Sequence, residues 1–438
     1  MLLAASFFLF VKFFIFENYM SLLYNTGIRI YSAGIRVAAL LGNRKAKLWV
    51  DGRRSFFKKF ERDIYELHSR KLNQKRVWFH ISSLGEFEIG RSVIEKIRTQ
   101  YPDYQIVLTF FSPSGYEVRK NYSFVDQVSY LPSDTPSNVK RFLDILNPDI
   151  AIFVKYDFWL NYLKELKNRG VATYLVSAIF RKNQHFFKFY GKPFRDALAT
   201  FNHIFLQDSN SKVLLESIGY KNSIVTGDTR NDRIARILED AKPIESIALF
   251  KGDAPLFAVG SSHDEDIKIL LPFIKNHSEL KYLITPHEIV EEKVDKLILD
   301  IGYKSLKFSK ISDYTNEEIS SAQLLVNDTV GILNQTYQYA DWAYIGGAFG
   351  SLMHNVQEPA VYGMPIAFGP KYSKFKEAVD LINLQAAQSV SRTTDLESWF
   401  SQHKIGTEKY QSASSVAKKY IYDNIGATEK IINIIMGK

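Results

Sequence analysis

The chain alternates short β-branched or aromatic runs with amphipathic stretches, and this alternation occurs twice. The first series extends from residue 76 to 227, and the second begins at Pro255 after a stretch near 240–255 in which the periodicity lapses. Strands that alternate with helices pair in parallel, and the helices then cover both faces of the sheet. The pattern therefore predicts an α/β protein with two doubly wound, Rossmann-like domains.

The individual strands are predicted from runs rich in Val, Ile, Phe and Tyr. In the first half they are residues 76–82, 105–111, 127–132, 149–154, 171–177, 203–207 and 223–227. In the second half they are residues 255–260, 281–285, 323–327, 342–347 and 364–369. Helices are expected between them, for example at 137–146 and 210–218, and again over the last thirty or so residues.

Four segments follow from this pattern. They are a membrane-associated segment at 1–50, domains at 51–242 and 243–410, and a C-terminal helix at 411–438 placed against the first domain. Ligands of doubly wound folds collect where the carboxyl ends of the strands meet. Two such halves are expected to face each other across a cleft that holds the ligands.

Composition removes several classes of chemistry. The 438 residues include no cysteine, which excludes a disulfide scaffold, an iron–sulfur cluster and a thiolate nucleophile. The net charge of +9 favours anionic partners, but no nucleic-acid module is recognisable and no nucleic-acid partner is predicted. The chain has no Walker A sequence and no G-x-G-x-x-G after its first strand, so neither a nucleotide triphosphatase nor a dehydrogenase is favoured.

The amino-terminal residues indicate contact with a membrane surface. Met1–Phe16 is apolar except for Lys12, yet it falls short of the ~20 residues that span a bilayer. The following 21–42 stretch mixes aliphatic residues with arginines, and a basic run begins at Arg44. This combination predicts peripheral or monotopic attachment to the cytoplasmic face of the inner membrane. Met20 could also begin the chain, and the basic segment follows it in either case.

The first strand leads into a turn that ends with an acidic residue. The turn reads His80-Ile-Ser-Ser-Leu-Gly-Glu86, and an amphipathic helix is expected behind it. A carboxylate at a helix N-terminus is favoured in its ionised form and can accept a proton from an incoming hydroxyl. Glu86 is therefore a candidate general base, and a favourable first-turn charge is the alternative interpretation.

Two further turns offer anion contacts. Ser261 and Ser262 follow a strand and precede a helix, where free backbone N–H groups attract phosphate, and an ordinary helix cap is the alternative. In the turn at 327–333, Asp328 or Thr329 is expected to cap the next helix, while Gly331 permits close approach of a ligand.

The strongest local signal is the glycine-rich stretch from Gly346 to Pro370. Its glycines include Gly347, and His354, Asn355 and Glu358 are expected in the first turn of the following helix. Asn355 and Glu358 are three residues apart and share a helical face. A carboxylate there can accept both hydrogens of a ribose diol, which indicates a nucleotide.

No metal site is predicted. The histidines that follow strands, His80, His263, His287 and His354, come from separate segments and lack the spacings of known ligand sets. No cofactor is predicted either.

The order of these segments resembles the 3-deoxy-D-manno-octulosonic acid (Kdo) transferases of Gram-negative bacteria. The matching segments are 80–86, 130–136, 148–161, 227–232, 260–263, 285–288, 327–333 and 346–370. The resemblance implies a GT-B fold and an inverting, metal-independent transferase. It also implies CMP-Kdo as the donor, a lipid A precursor as the acceptor and a role in lipopolysaccharide biosynthesis.

The resemblance also assigns residues. It implies that Glu86 is the catalytic base. The substrate contacts that it implies are Ser83, Gly85, Arg230, Ser261, Ser262, Pro286, His287, Gly331, Ile332, Leu333, Gly347, His354, Asn355 and Glu358.

The chain departs from the family's pattern at several of these positions. Pro286-His287-Glu288 stands where the family commonly shows Pro-Arg-His, and Lys155 replaces the first glutamate of E-T-E-L-W-P-N. Arg230 and Lys155 are the cationic candidates near an anionic donor. A UDP-sugar transferase, a UDP-sugar 2-epimerase and a membrane-attached nucleotide-binding scaffold are the competing interpretations.

Overall fold

The computed structural model describes residues 2–70, 74–350 and 353–437, and these form two compact units. Unit 1 contains the chain up to Arg230 together with the residues from Gly426 onward, and unit 2 runs from Asn231 to Ile425. The predicted segments were 1–50, 51–242, 243–410 and 411–438, so the observed bounds lie elsewhere. The bounds differ because the helix that begins at Thr229 continues into unit 2 and because the helix Glu408–Asp423 belongs to unit 2. The last helix, from Ala427, belongs to unit 1, the unit against which a C-terminal helix was expected.

Unit 1 begins with three helices, α1 (Leu2–Leu40), α2 (Arg44–Asp51) and α3 (Phe56–Arg70). Its strands are β1 (Arg76–Ile81), β2 (Gln105–Phe110), β3 (Gln127–Tyr130), β4 (Ile150–Val154), β5 (Ala172–Ala178), β6 (His203–Leu206) and β7 (Ser223–Val225). The helices between them are α4 (Leu84–Gln100), α5 (Pro113–Arg119), α6 (Pro136–Leu146), α7 (Leu160–Asn168), α8 (Lys192–Leu198) and α9 (Ser209–Ser217). Helix α10 (Thr229–Asp240) follows.

The seven strands of unit 1 pair in parallel in the order β3-β2-β1-β4-β5-β6-β7. Every residue of β1 is buried because helices cover both faces of the sheet. On one face Val77 and Phe79 pack with α4, and on the other Trp78 packs with Phe142 of α6. This two-sided burial explains why the apolar residues Val77, Trp78 and Phe79 follow one another without an intervening polar residue.

Unit 2 has a second parallel sheet. Its strands are β8 (Leu256–Ser262), β9 (Lys281–Pro286), β10 (Ser305–Lys307), β11 (Leu324–Val326), β12 (Trp342–Ile345), β13 (Ile366–Phe368) and β14 (Ala387–Ser389). The helices are α11 (Glu245–Lys251), α12 (Asp264–Asn276), α13 (Glu291–Ile301), α14 (Asn316–Ser321), α15 (Leu333–Thr336), α16 (Gln357–Tyr362), α17 (Lys376–Asn383), α18 (Thr393–Gln402) and α19 (Glu408–Asp423). The strand order is β10-β11-β9-β8-β12-β13-β14.

The predicted fold class is confirmed, since all twelve predicted strands coincide with observed ones. The two strands that the prediction missed are β10 and β14, each three residues long and each at an edge of the sheet. β10 (Ser-Leu-Lys) and β14 (Ala-Gln-Ser) each contain a single apolar residue, which is too few to produce a recognisable hydrophobic pattern.

Two helices determine where the units begin and end. Helix α10 starts in unit 1, where the Thr229 hydroxyl donates to the Ile89 carbonyl at 2.5 Å, but Ile234 and Ile237 belong to the core of unit 2. Near the C-terminus, α19 packs on α16 in unit 2. The last helix, α20 (Ala427–Met436), instead packs on α4 in unit 1 through Ile431 and its apolar neighbours.

Helix α1 makes polar contacts with the rest of unit 1. The Tyr24 hydroxyl donates to Asp134 Oδ2 at 2.6 Å, and Asn161 Nδ2 donates to Asn25 Oδ1 at 2.9 Å. Asp134, itself buried, also accepts the backbone N–H of Asn161, so one carboxylate orders both α1 and the start of α7. Within the described residues, no helix is both long enough and apolar enough to cross a bilayer.

Candidate active site

The sheet of unit 1 changes direction between β1 and β4, because the chain winds outward on each side of this pair. In doubly wound folds the carboxyl ends of the strands at such a switch point border the ligand crevice. Glu86 follows β1, and Lys155 and Asp157 follow β4. Two acidic groups and one lysine therefore lie at the position where this topology places ligands.

Glu86 is fixed by the start of α4. Ser83 precedes the helix, its backbone N–H donates to Glu86 Oε2 at 3.1 Å, and its hydroxyl donates to the same oxygen at 3.2 Å. This is a capping box, in which the first and fourth residues bind each other's backbone. Gly85 is exposed between them. The first-turn role of Glu86 and its candidate catalytic role are thus compatible, because one carboxylate oxygen makes the cap.

Asp157 is a buried partner of Glu86 that the sequence analysis did not assign. Its carboxyl accepts the Ser82 backbone N–H at 3.1 Å and also the Ser82 hydroxyl, and only 6% of the residue is exposed. Burial, together with the nearby charge of Glu86, raises the pKa of Asp157 well above its ordinary value. Burial and the charge of Glu86 therefore both disfavour the ionised form of Asp157.

His80 is behind this pair and does not neutralise it. Trp159 Nε1 donates to His80 Nε2 at 2.9 Å, so this nitrogen carries no proton, and Nδ1 lies 3.0 Å from the Thr109 hydroxyl. Complete burial lowers the pKa of His80 to about 3. A neutral imidazole 3.7 Å from Asp157 supplies no positive charge.

Burial also raises the pKa of Glu86, whereas the hydrogen bonds from Ser83 and the charge of Lys155 lower it. The net direction is upward, whereas the helix N-terminus was expected to favour the ionised form. A carboxyl whose pKa is raised is a stronger base once ionised. Lys155 favours that ionised form, in which Glu86 can accept a proton from a hydroxyl.

Arg230 is paired within unit 1. Its guanidinium donates to both carboxylate oxygens of Asp228, with Nη2–Oδ2 at 2.6 Å and Nε–Oδ2 at 3.0 Å. Although burial opposes ionisation of Asp228, the charge and hydrogen bonds of Arg230 outweigh it and lower the pKa of that carboxyl. Lys155 also lowers it, so Lys155 is near Glu86 and Asp228. Of the two cationic candidates, Lys155 is the one that influences Glu86.

The other basic candidates on unit 1 differ in their surroundings. The Arg53 guanidinium stacks 4.0 Å from the centroid of the Trp49 ring and donates to the carbonyls of Leu131 and Phe111. Burial lowers its pKa to about 9. Arg53 is therefore part of the packing between α2 and the sheet, whereas Arg54 and Lys45 are exposed.

Unit 2 has its own switch point, between β8 and β12. Asp266, in the first turn of α12, is completely buried there and joins the ends of both strands. Its carboxylate accepts the backbone N–H groups of His263 at 2.9 Å and Gly347 at 2.8 Å, and the Tyr344 hydroxyl at 2.9 Å. Asp266 was not assigned a role from the sequence. It lies three residues after His263, which is the spacing of a capping box, and this spacing was the available signal that Asp266 binds backbone at the start of α12.

The predicted serines are the last two residues of β8 and precede α12, which begins at Asp264. Ser262 pairs with Pro286 of β9, and within the described chain nothing bonds to the buried Ser262 hydroxyl. Ser261 has a left-handed backbone, with φ of 54°. A side chain at Gly346 would collide with the Ser261 carbonyl, so glycine is needed for the close approach of β8 and the loop after β12. An unpartnered buried hydroxyl at this position is available to a ligand.

Three of the predicted histidines come together although they are far apart in sequence. His263 Nε2 is 3.0 Å from His354 Nε2, and the His287 ring stacks on that of His263 with centroids 4.4 Å apart. Burial, with the charges of the other two imidazoles, lowers the pKa of His354 to about 4. His287 is exposed, and its pKa is also lowered, by burial of its ring and by His263.

The turn after β11 differs from the prediction. Neither Asp328 nor Thr329 caps the next helix, because α15 begins only at Leu333 with Ile332 before it. Asp328 instead accepts the backbone N–H and hydroxyl of Ser309. Gly331 has φ of 101°, a backbone that favours glycine, so the expected turn is present although the cap is not.

Asn355 and Glu358 contact each other, as their spacing predicts. Asn355 Nδ2 donates to Glu358 Oε1 at 3.2 Å, and Asn355 Oδ1 accepts the Gln357 backbone N–H at 3.0 Å. Helix α16 begins at Gln357, so His354 and Asn355 precede the helix instead of forming its first turn. Both remain on the carboxyl side of β12.

Two Rossmann-like units, each with polar side chains at the switch point of a parallel sheet, are the fold of the GT-B class. Structural similarity supports this fold. The UDP-GlcNAc 2-epimerase of Neisseria meningitidis is 15% identical, with a TM-score of 0.61 over 83% of this chain and 100% of that one. MurG of Acinetobacter baumannii is 14% identical, with a TM-score of 0.50 over the same shares. At these identities the likeness shows the fold alone.

The sequence comparisons show which proteins this chain resembles. The family model described as "3-Deoxy-D-manno-octulosonic-acid transferase (kdotransferase)" matches residues 54–233. The 3-deoxy-D-manno-octulosonic acid transferase of Haemophilus influenzae is 26% identical over 382 residues, which cover 82% of this chain and 86% of the relative. Over most of its length the chain is thus similar to 3-deoxy-D-manno-octulosonic acid transferases, which are glycosyltransferases.

Replacing Asp266 tests how the unit 2 switch point is held together. Asp266→Ala leaves two backbone N–H groups and the Tyr344 hydroxyl without their acceptor. We expect a loss of about 2–5 kcal/mol in the free energy of unfolding, because each unsatisfied buried donor costs roughly 1–3 kcal/mol. The measurement is chemical denaturation followed by circular dichroism.

Asp264→Ala is the matched control, since Asp264 is exposed in the same helical turn. Equal stability of the two variants would contradict the bridging role of Asp266.

Proposed function

We propose that this protein is an inverting, metal-independent glycosyltransferase that moves Kdo from CMP-Kdo to a lipid A precursor in lipopolysaccharide biosynthesis. The observation that carries the proposal is the Glu86 carboxyl at the switch point of unit 1, coupled to Asp157 and close to Lys155. The similarity to 3-deoxy-D-manno-octulosonic acid transferases and the motif resemblance indicate CMP-Kdo as the donor and a lipid A precursor as the acceptor. The epimerase likeness is one of fold and favours no second function.

The transfer is a single displacement. The oxygen of an acceptor hydroxyl forms a bond to the anomeric carbon of Kdo while the bond from that carbon to the CMP phosphate breaks. Glu86 takes the hydroxyl proton, and CMP leaves with the bonding electrons. Attack opposite to the leaving group inverts the anomeric carbon. Removal of a positioned base of this kind costs ~10²–10⁴-fold in rate.

The donor is assigned to unit 2. The Ser262 hydroxyl and the first turn of α12 offer hydrogen-bond donors to an anionic phosphate, and the helix end adds a favourable dipole. Glu358, oriented by Asn355, can accept the hydroxyls of the cytidine ribose. Charge on the departing phosphate is then offset by protein dipoles, and no step of the proposal needs a metal ion.

The acceptor is assigned to two pockets of unit 1 that share Trp49. One, of about 620 Å³, is lined by cationic residues that include Arg36, Arg54 and Arg141. The other, of about 460 Å³, is mostly apolar and includes Ile35 and Phe111. A lipid with phosphate groups and acyl chains has these two properties side by side.

Attachment to the inner membrane is part of the same proposal. The exposed apolar residues of the described part of α1 cover an arc of about 100°, at 3.6 residues per turn. They are Leu22, Leu23, Ile30, Val37 and Leu40. Exposed Arg29 and Arg36 border this stripe, and Arg44 and Lys45 follow it. An apolar stripe flanked by cations suits the surface of an anionic leaflet.

The direct test of the proposed function is the mass of the lipid product. The purified protein is incubated with CMP-Kdo and a tetraacyl lipid A precursor in EDTA. A mass gain of one or more Kdo units supports the proposal and counts the additions, and an unchanged lipid in the presence of bound donor contradicts it.

Glu86→Gln should lower the rate of transfer by about 10²–10⁴-fold because the amide cannot accept the proton. Binding of CMP should be unchanged, since Glu86 is in unit 1 and the nucleotide is assigned to unit 2. Steady-state kinetics and calorimetry measure the two effects. Glu88→Gln, in the same helix and paired with Arg119, is the control that should keep its activity. A near-normal rate in Glu86→Gln would refute the assignment of the base.

The rate should rise with pH as Glu86 loses its proton, with a midpoint above the ordinary glutamate value. Lys155→Met should move this acid limb of kcat/KM to higher pH, because the cation lowers the pKa of Glu86. Lys164→Met, an exposed lysine of α7, should leave the profile in place. An acid limb that stays where it is, or moves to lower pH, in Lys155→Met would contradict the coupling.

Membrane attachment is tested by vesicle flotation. The protein should float with vesicles that contain phosphatidylglycerol and bind weakly to neutral ones. The double variant Ile30→Glu/Val37→Glu should lose most of this binding because it interrupts the apolar stripe. Val213→Glu replaces an equally exposed apolar residue of α9 and serves as the control. Flotation that does not respond to the double variant would show that α1 is not the attachment site.

A further inference from the structure

Three strand ends of unit 2 bring three imidazoles into one cluster. His263 comes directly after β8, His287 directly after β9, and His354 lies in the loop that follows β12. We propose that these three histidines form a binding site for a divalent first-row transition metal ion such as Zn²⁺ or Co²⁺. His263 lies between Ser262 and α12, to which the donor phosphate is assigned, and His287 and His354 are among the substrate contacts that the resemblance implies. The metal-site proposal is argued from the geometry of the histidines and does not rest on the transfer mechanism.

The geometry of the nitrogen atoms carries the proposal. One ring nitrogen from each histidine can be chosen so that all three lie within 4.8 Å of one another, and His263 Nε2 and His354 Nε2 are 3.0 Å apart. A metal that binds imidazoles at about 2.0–2.1 Å in a tetrahedral site holds its nitrogens about 3.3 Å apart. A small rotation of the exposed His287 ring is therefore enough to close the set.

The backbone of each histidine is fixed near the end of its strand. His263 N–H donates to Asp266 Oδ2 at 2.9 Å, and His287 N–H donates to the Ser262 carbonyl at 2.9 Å. His354 N–H donates to the Gly346 carbonyl at 3.2 Å. Ligands carried by rigid elements lose little freedom when the ion binds, which favours a defined site over a chance contact.

The donor set selects the class of ion. Three imidazole nitrogens and no carboxylate suit Zn²⁺, Co²⁺, Ni²⁺ or Cu²⁺, whereas Mg²⁺ and Ca²⁺ prefer oxygen ligands. A site with three protein ligands leaves a fourth position open. Two carboxylates are adjacent to these histidines in sequence: Glu288 is engaged by Lys293 at 2.5 Å, and Asp264 is exposed. The site thus differs from the acidic clusters that are common on protein surfaces.

Sequence reasoning rejected a metal here because the histidines lack a familiar spacing. That criterion detects ligands that share one segment, whereas these come from three strands that are neighbours in the sheet. The third imidazole, His287, stands where the family commonly shows arginine. An arginine at position 287 would replace a ligand with a fixed positive charge.

The test is metal binding by the full-length, untagged protein after chelation and removal of the chelator. Zn²⁺ and Co²⁺ are titrated by calorimetry, and Co²⁺ is also followed by its visible absorption, with neither donor nor acceptor present. We expect one ion per chain. His287→Ala and His354→Ala should each weaken binding by more than the ~10–100-fold that loss of an outer-sphere partner costs.

His277→Ala is the matched control, because His277 is in the same unit but pairs with Glu279 and Glu397. It should bind like the unmodified protein. Absence of saturable binding, or unchanged binding in His287→Ala, would overturn the proposal. His287 is exposed, so its variant remains decisive even if His354→Ala fails to fold. Because the assay measures binding alone, its failure is distinct from a failure of the proposed transfer.

Discussion

The proposed chemistry depends on two neighbouring carboxyl groups, those of Glu86 and Asp157. Asp157 is buried beneath the turn that holds Glu86, and the charge of Glu86 disfavours ionisation of Asp157. The adjacent His80 cannot relieve this repulsion, because a tryptophan N–H occupies its lone pair and keeps it neutral. The asymmetry in burial, together with Lys155 and the two Ser83 donors, therefore decides that Glu86 is the group that loses its proton first.

The parallel sheets explain why these groups meet. Each unit places the carboxyl ends of its strands at one edge, and each changes winding direction between two central strands. In unit 1 that change brings together the turns after β1 and β4, and in unit 2 the turns after β8 and β12. A buried carboxyl occupies each of these positions, but the two differ in role: Asp157 modulates an ionisable neighbour, whereas Asp266 bonds to the backbone of both turns.

Much of this could be predicted from the sequence, because buried parallel strands read as apolar runs and glycine-rich turns follow them. Glu86, Ser262, Asn355 and Glu358 were identified from such turns. Other features could not be predicted because they depend on contacts between separate segments. Asp157 lies near Glu86 because β4 pairs with β1. The stacking of the Arg53 guanidinium on the Trp49 ring likewise has no signal in the sequence pattern. The histidine cluster depends on three segments meeting, which no single segment encodes.

The central claim concerns which carboxyl carries the proton, and carbon-13 NMR can observe this directly. The protein is labelled at the side-chain carboxyl carbons, and the signals of Glu86 and Asp157 are assigned with Glu86→Gln and Asp157→Asn. We predict that Glu86 titrates above the ordinary glutamate value and that Asp157 remains protonated to a clearly higher pH. An Asp157 that ionises before Glu86, or a Glu86 that titrates as a free glutamate does, would contradict the account.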